Sequence, residues 1–367
     1  MTAAGIYIHV PFCLRKCPYC DFYSVKYDAD TAEKYVGAVC RNIAAFGGRN
    51  VTADTVYFGG GTPSLLTPAQ ISRILDTVYK NINLISPEIT LEANPSSLTA
   101  EKLRGYRSAG VNRLSVGFQS ADDSQLRFLG RLHDTARAEN AVLEAHAAGF
   151  DNISCDLILG SEGQNVGSLD RTIDRLLGLP ISHISAYMLK IEQGTPFDCD
   201  DIRRRAADEE TLCQLYEYMC GRLSAAGFEH YEISNFALAD RRSRHNMKYW
   251  QVEPYIGIGA AAHSDFGGVR YFCPPDVSAF VAAETQPVEI EDAAPDRFEE
   301  CVMLGARISD GFELSRLTAL GGEQRTRDLL KRAAPLAAAG FLAVTSERIA
   351  LTERAFLLSN EIISRLL

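Results

Sequence analysis

The chain has 367 residues, of which 46% are hydrophobic and 23% are charged. These values are ordinary for a globular protein with one large domain and a smaller one. The 37 basic and 47 acidic residues give a net charge of −10, so the composition lacks the basic balance of a nucleic-acid-binding protein. No apolar run is long enough to span a bilayer and the start shows no signal-peptide pattern. We therefore expect a cytoplasmic protein whose ten cysteines act as thiols or metal ligands.

Short β-rich runs recur in the first half of the chain, and each is followed by a helical pattern. Helix punctuation supports this reading, since Thr67 and Pro68 form a typical helix start and Gly149 a typical stop. Alternating strands and helices predict a parallel sheet. Because six units are too few for a closed eight-fold barrel, the sequence predicts an α/β fold with an incomplete (β/α)6 TIM-type barrel, open on one side. The predicted strands are residues 5–10, 55–60, 88–93, 113–118, 153–160 and 183–189.

The pattern changes after residue 195. An amphipathic stretch at 206–227 predicts one long helix, and an aromatic, basic and then glycine-rich segment follows it. From about residue 290 the chain is helical and charged, and it closes with a hairpin-like pair and a helix. We divide the chain into a core domain at 1–265 and a smaller, winged-helix-like helical module at 266–367.

Three cysteines near the start of the chain form the most informative motif. Cys13, Cys17 and Cys20 have the spacing C-x3-C-x2-C, directly after the first predicted strand. Structural zinc sites and ordinary iron–sulfur clusters use four protein ligands. Three thiolates on a cubane cluster leave one iron open for chemistry. A zinc site with a distant fourth ligand, or three unrelated thiols, is the alternative.

Other distinctive residues fall at the ends of the later predicted strands. The glycine-rich string 59–63 follows the second strand, Glu92 and Gln119 lie at or just after the ends of the third and fourth, and Asp156 lies in the fifth. Active sites of (β/α) barrels form at the carboxyl ends of the strands. We expect these residues to converge with the cysteines on one rim, although strand-end residues that merely face water are commoner.

A second group of chemically useful residues is HNMKYW at 245–250. It offers an imidazole, an amide, a phenol and the only tryptophan, and these groups suit a flat iron-bearing macrocycle. The nearby Arg241, Arg242 and Arg244 could pair with its propionates. An exposed loop with a solvated histidine and a packed tryptophan is the competing interpretation.

The string YIHVPFCLRKCPYCDF closely resembles the cysteine motif of the radical S-adenosylmethionine (SAM) superfamily. The resemblance implies that the three cysteines hold a [4Fe–4S] cluster and that its open iron binds SAM, the source of a 5′-deoxyadenosyl radical. It also implies a set of residues that contact or flank SAM, namely Tyr7, Tyr19, Gly60, Gly61, Thr62, Glu92, Gln119, Arg131 and Asp156.

From Gly5 to about His263 the chain resembles the oxygen-independent coproporphyrinogen III oxidase-like branch of that superfamily. True coproporphyrinogen III dehydrogenases have a fourth cysteine where this chain has Phe22, and a longer N-terminal segment. HemW-type haem chaperones instead have C-x3-C-x2-C-x-F and H-N-x-x-Y-W, and both motifs are present. This likeness implies a haem site, with His245 as the iron ligand and a pocket shaped by Asn246, Tyr249 and Trp250.

The resemblance implies a haem chaperone that binds haem, a [4Fe–4S] cluster and SAM and passes haem to an acceptor protein. An electron donor would be needed if SAM is cleaved, and a homodimer stays open. The alternative is an enzyme that decarboxylates coproporphyrinogen III on the same scaffold. A third option is a radical enzyme with another substrate, for which HNMKYW would be coincidental.

Overall fold

A computed structural model describes residues 3–367 and shows a twelve-stranded mixed sheet, a separate three-stranded sheet and a small two-stranded pair. The strands in chain order are β1 (Ala4–Val10), β2 (Phe12–Cys13), β3 (Val25–Lys26), β4 (Thr52–Gly60), β5 (Asn83–Ala93), β6 (Arg113–Gln119), β7 (Ile153–Leu159), β8 (His183–Met188), β9 (Glu229–Glu232), β10 (Asn235–Ala237), β11 (Tyr255–Ile258), β12 (His263–Phe266), β13 (Val269–Phe272), β14 (Glu289–Asp292), β15 (Phe312–Glu313), β16 (Leu342–Val344) and β17 (Arg348–Leu351).

The helices that connect and cover these strands are numbered in chain order. They are α1 (Ala29–Ala44), α2 (Pro68–Asn81), α3 (Ala100–Ala109), α4 (Asp123–Phe128), α5 (Thr135–Ala147), α6 (Val166–Leu177), α7 (Asp200–Arg205), α8 (Glu209–Ala225), α9 (Arg244–Trp250), α10 (Val277–Ala282), α11 (Arg297–Gly305), α12 (Leu314–Ala338) and α13 (Ser359–Leu366). Short 3-10 helices lie at Pro63–Leu65, Pro95–Ser97 and Glu353–Leu358. None of the helices within residues 3–367 combines the length and apolar character needed to cross a bilayer.

The incomplete barrel is confirmed. The six predicted strands are β1, β4, β5, β6, β7 and β8, and they pair in parallel in that order with helices between them. The sheet does not close, because β10 and β9 extend one edge and β11 to β14 extend the other. Strand β11, in the glycine-rich segment for which the sequence predicts no strand, pairs in parallel with β1.

Capping residues in the sequence predicted two helix ends correctly. Thr67 caps α2, its side chain accepting the backbone N–H of Gln70, and Gly149 follows α5 with φ of 93°. The long amphipathic helix is shorter than the predicted 206–227. Asp208 caps α8 by accepting the backbone N–H of Thr211, so the predicted helix loses residues 206–208, which separate α8 from α7.

The two largest hydrophobic cores belong to different parts of the chain. Strands β12 to β14 continue the barrel sheet as far as Asp292, and the second core begins at Phe298. The division of the chain at residue 265 stays a prediction, and in the structure that residue lies in β12. The C-terminal module packs α11, α12 and α13 against β15, β16 and β17, with the expected hairpin at β16 and β17.

Candidate functional site

The cysteine loop is held at the carboxyl end of β1. Strands β2 and β3 pair in parallel around it, and the Tyr27 backbone N–H donates to the Cys13 carbonyl at 2.9 Å. A tight turn, closed by the Cys20 N–H donating to the Cys17 carbonyl at 3.1 Å, brings the other two thiols to the same side. The loop opens onto a cavity of about 410 Å³.

This first cavity brings together the residues that the sequence predicted for the cluster and SAM, with the exception of Tyr7. Its walls include Cys13, Cys17, Tyr19, Cys20, Gly60, Gly61, Thr62, Glu92, Gln119, Arg131 and Asp156. They come from five barrel strands or the loops after them, and their binding role stays a prediction. Phe22, at the position of the fourth cysteine of the dehydrogenases, also lines the cavity and is 65% exposed.

The three thiols are not placed to hold a single zinc ion in this structure. Zinc bonds of about 2.3 Å would hold tetrahedral sulfurs about 4 Å apart. Within residues 3–367, the three sulfurs are not among the groups of potential ligand atoms that lie within 4.8 Å of one another. Burial also raises the pKa of the Cys20 thiol, which favours its protonated form.

The glycine string and Glu92 form one wall of the first cavity. Gly60 has φ of 109°, and a Cβ there would lie 2.6 Å from the His9 ring, so only glycine fits. The Gly60 N–H donates to Glu92 at 3.1 Å, and the Tyr57 hydroxyl donates to the same carboxylate at 2.8 Å. Burial raises the pKa of Glu92 to about 7 despite these two donors, so this carboxyl exchanges a proton near neutral pH.

Arg131 supplies the positive charge of the same cavity. Its guanidinium donates to the Cys17 sulfur at 3.5 Å and to the Gly117 carbonyl at 3.1 Å. Its Nε is buried without a partner, which fits a site completed by a bound carboxylate. On a neighbouring wall, Asp156 accepts the Ser115 hydroxyl at 3.1 Å, and burial raises the pKa of Asp156 to about 6.

A second cavity of about 480 Å³ adjoins the first. Glu92 and Tyr187 line both cavities, so the two spaces share a wall. The remaining lining residues are Tyr7, Tyr57, Glu232, Ile233, Ser234, Asn235, His245, Asn246, Tyr249, Trp250 and Arg307. All four residues predicted for haem therefore face one cavity, separate from the cysteines.

The HNMKYW segment is helix α9, not an exposed loop. Ser243 caps it by accepting the Asn246 N–H, and the buried Glu88 carboxylate accepts the backbone N–H groups of Arg244 and His245 at 3.3 and 3.2 Å. A negative group at these free amides stabilises a helix start. The sequence does not predict where this segment lies relative to the barrel, because Glu88, which holds its first amides, is distant in sequence.

Helix α9 lies at the end of the barrel opposite the cysteines. His245 contacts Thr55 near the start of β4, and a Cβ on Gly5 near the start of β1 would lie 3.0 Å from its ring. Gly60, at the cysteine end of β4, is five residues further along, or about 16 Å. The absence of a side chain at Gly5 is what lets the helix approach so closely.

His245 is 1% exposed and both of its ring nitrogens are engaged. Nδ1 forms a hydrogen bond of 2.7 Å with the Thr55 hydroxyl, and Nε2 forms one of 2.8 Å with the Tyr249 hydroxyl. Burial, with Lys248 and Arg113 nearby, lowers the pKa of His245 to about 3. The imidazole is therefore neutral, the form that binds metals, but either nitrogen must first lose its hydroxyl partner.

Tyr7 and the arginines lie elsewhere than the sequence suggested. The Tyr7 ring stacks near Tyr57 and His245, with centroids 6.2 and 6.3 Å away, and lines the second cavity instead of the first. The three arginines before the HNMKYW motif are held in ion pairs with protein carboxylates, which are Arg241 with Asp151, Arg242 with Glu229 and Asp310, and Arg244 with Asp54. Arg307 is the guanidinium of the second cavity; no motif marked it, nor Tyr57, Tyr187, Glu232 or Asn235.

Comparison with known proteins agrees with this architecture. The profile of the radical SAM superfamily matches residues 7–176, and that of the HemN C-terminal domain matches 293–358. The solved structure of coproporphyrinogen III oxidase (HemN) from Escherichia coli, a radical SAM enzyme, covers 99% of this chain and 90% of its own with a TM-score of 0.83. At 21% identity, this likeness concerns the fold. Fold and site thus define a protein with a radical SAM core and a HemN-type C-terminal domain.

Curated relatives narrow the assignment. Heme chaperone HemW of Mycobacterium tuberculosis is 35% identical over 99% of this chain and 94% of its own length. Heme chaperone HemW of Bacillus subtilis is 33% identical over 97% of each. The mitochondrial radical S-adenosyl methionine domain-containing protein 1 of Bos taurus is 36% identical over 82% of this chain and 67% of its own length. The chain belongs to the HemW family of haem chaperones within the radical SAM superfamily.

Proposed function

We propose that this protein binds haem in the second cavity, holds a [4Fe–4S] cluster and SAM in the first, and passes haem to an acceptor protein. The observation that carries the proposal is helix α9, which presents His245, Asn246, Tyr249 and Trp250 to a cavity that the three cysteines do not line. A site for cargo that is separate from the cluster site suits a carrier. The names of the HemW relatives support the same role.

For the first cavity we propose that Cys13, Cys17 and Cys20 hold the cluster and that Gly60, Gly61 and Thr62 contact SAM through exposed backbone and hydroxyl groups. Glu92, Gln119, Arg131 and Asp156 would complete that site, with Tyr19 at its edge. When bound, the cluster supplies the electron and SAM the sulfonium for radical chemistry. Arg131 offers its free Nε to a carboxylate.

For the second cavity we propose that His245 binds haem iron through Nε2. Its Nδ1 stays against the Thr55 hydroxyl, and such a partner orients a ligating imidazole. Tyr249 must move away to free Nε2. Trp250 would lie against the macrocycle, Asn246 would shape the rim, and Arg307 is placed to pair with a propionate.

The partners of this reaction belong to the same proposal. Haem leaves for an acceptor protein, and an electron donor is needed only if SAM is cleaved. We place the protein in the cytoplasm, where ten free cysteines stay reduced. A homodimer is compatible with this scheme but no contact in the single chain requires it.

The central test compares haem binding by His245→Ala with that by the wild type. The protein is purified and reconstituted without oxygen, ferric haem is titrated in, and the Soret band is recorded. We expect His245→Ala to bind haem at least about 10-fold more weakly. His263→Ala is the matched control, because His263 is an exposed histidine outside the cavity. Equal haem binding by wild type and His245→Ala would remove the iron-ligand role.

The dehydrogenase reading is tested with the same preparation. Wild-type protein with cluster, SAM, reductant and coproporphyrinogen III should form no protoporphyrinogen, in line with Phe22 at the fourth-cysteine position. Formation of protoporphyrinogen at a catalytic rate would replace the carrier proposal by the enzyme proposal.

A further inference from the structure

A thiol, an imidazole and a carboxylate meet where the C-terminal module contacts the barrel. Cys220 lies on α8, His230 on the edge strand β9, and Glu353 opens the 3-10 helix that follows β17. One ligand atom from each, Sγ, Nδ1 and a carboxylate oxygen, lies within 4.8 Å of the other two. Within residues 3–367 this is the one group of three such residues so closely placed.

His230 is the member of this group that has an unpartnered ring nitrogen. Its side chain is only 7% exposed, yet Nδ1 has no hydrogen-bond partner and points towards Glu353, whose oxygen is 3.9 Å away. Leaving a buried ring nitrogen unpaired costs about 1–3 kcal/mol. The ring itself is fixed, since it stacks on Phe236 at 4.2 Å and meets Phe356 edge-on at 4.8 Å.

The other ring nitrogen has the partner that a metal-binding histidine normally has. Nε2 lies 3.4 Å from the Ile233 carbonyl and 3.3 Å from the Tyr216 hydroxyl, which itself donates to the same carbonyl at 2.7 Å. A ligating imidazole commonly donates its second N–H to a backbone carbonyl, which fixes the tautomer. In that tautomer the lone pair of Nδ1 faces Cys220 and Glu353.

We propose that Cys220, His230 and Glu353 form a zinc site that joins the C-terminal module to the barrel. Sulfur, nitrogen and oxygen ligands together suit Zn²⁺, with water in the fourth tetrahedral position. Ligand atoms around such an ion lie about 3–4 Å apart, so the observed positions need to close by about 1 Å. Glu353 can supply that movement, because its side chain is 66% exposed.

The site lies between the two parts of the chain. Cys220 and His230 belong to the barrel domain and Glu353 to the module with the second core. The same strand β9 continues to Glu232, which lines the second cavity and bridges to Ile308 of the module. A zinc ion at this site would therefore stabilise one wall of that cavity. The zinc site does not depend on haem binding.

The experiment measures zinc in the full-length protein with its iron–sulfur cluster loaded, so that the N-terminal cysteines are occupied. After equilibrium dialysis against buffered Zn²⁺, zinc and iron per chain are measured by mass spectrometry, and zinc X-ray absorption gives the number of sulfur ligands. Glu353→Gln and Cys220→Ser test the site. Glu361→Gln and Cys213→Ser are the matched controls, because Glu361 is another exposed carboxylate of the module and Cys213 another thiol of α8.

We expect one zinc per wild-type chain with one sulfur ligand, unchanged iron, and a zinc affinity about 10- to 100-fold lower in both test variants. Zinc should raise the melting temperature of the wild type and of the controls but not of Glu353→Gln. Because Glu353 is exposed, that variant should fold even if Cys220→Ser does not. Absence of bound zinc, equal affinity in Glu353→Gln, or a count of three sulfurs would overturn the site.

Discussion

Tyr249→Phe tests how haem iron reaches His245. In the structure the Tyr249 hydroxyl forms a 2.8 Å hydrogen bond with Nε2 of His245, the nitrogen that we assign to iron. Iron and this hydroxyl compete for one lone pair. Removing the hydroxyl while keeping the ring should therefore favour the haem-bound protein.

The size of the effect follows from the cost of that hydrogen bond. A buried hydrogen bond contributes about 1 kcal/mol net, and the abandoned Nε2 adds a desolvation cost to the haem-free protein. We expect Tyr249→Phe to lower the free energy of unfolding of the haem-free protein by about 1–2 kcal/mol. Because this cost disappears when iron binds, haem affinity should rise by about 5-fold or more.

Two measurements on the same samples check both halves of this reasoning. Urea unfolding of the haem-free protein gives the loss of stability, and anaerobic titration of the Soret band gives the haem affinity. Tyr255→Phe is the control, since Tyr255 packs edge-on against Tyr249 at 4.6 Å but does not lie in the second cavity. We expect it to leave haem affinity unchanged.

Opposite results would identify which step is mistaken. Weaker haem binding by Tyr249→Phe would show that the phenol itself holds the cargo. Lower stability with unchanged haem affinity would show that Nε2 of His245 is not the iron ligand, and would move attention to Nδ1 and its partner Thr55.

Two further predictions concern the first cavity. Because the pKa of Glu92 is raised, the folded, cluster-free protein holds a proton between about pH 4.5 and about pH 7 that the unfolded chain has lost. The free energy of unfolding should therefore fall by up to about 3 kcal/mol as pH rises from about 4.5 to about 7. Urea titrations across this range should show a flatter pH dependence for Glu92→Gln, and an equal slope in the wild type and the variant would mean that this carboxyl is already ionised at low pH. A Cβ on Gly117 would lie 2.7 Å from the Arg131 guanidinium, so Gly117→Ala should weaken SAM binding about 10-fold in equilibrium dialysis of the reconstituted protein. Gly221→Ala is the control and should leave SAM binding unchanged, because Gly221 lies in open space on α8. Unchanged SAM binding by Gly117→Ala would contradict the role of Arg131.

The part of the site that could be predicted consists mainly of residues that are close in sequence. The spacing of Cys13, Cys17 and Cys20 and the strand just before them need no long-range information, because one short loop presents all three thiols. The convergence of Glu92 and Asp156 with that loop followed from parallel strand order alone. Residues at the carboxyl ends of neighbouring parallel strands must share an edge.

The haem motif shows where this reasoning ends. Its residues are recognisable as a string, but nothing local says that α9 lies at the opposite end of the barrel. That position depends on Glu88 at its first amides, on Gly5 beneath its ring, and on Thr55, which is 190 residues from His245. The sequence predicts arginines beside this motif that pair with propionates and does not mark Arg307, because ion pairing depends on which carboxylates the fold brings near.

The amino-acid sequence by itself determined the fold class, the order of the barrel strands, the helix caps such as Thr67 and the composition of the two motifs. These depend on backbone preferences and on residue types within a turn or two of each other. Only the tertiary structure decided that two cavities share the wall of Glu92 and Tyr187, that Tyr249 occupies the nitrogen of His245, and that Cys220 meets His230 and Glu353. Such contacts join segments far apart in the chain, and their distances are set by how strands and helices pack, which no local pattern encodes.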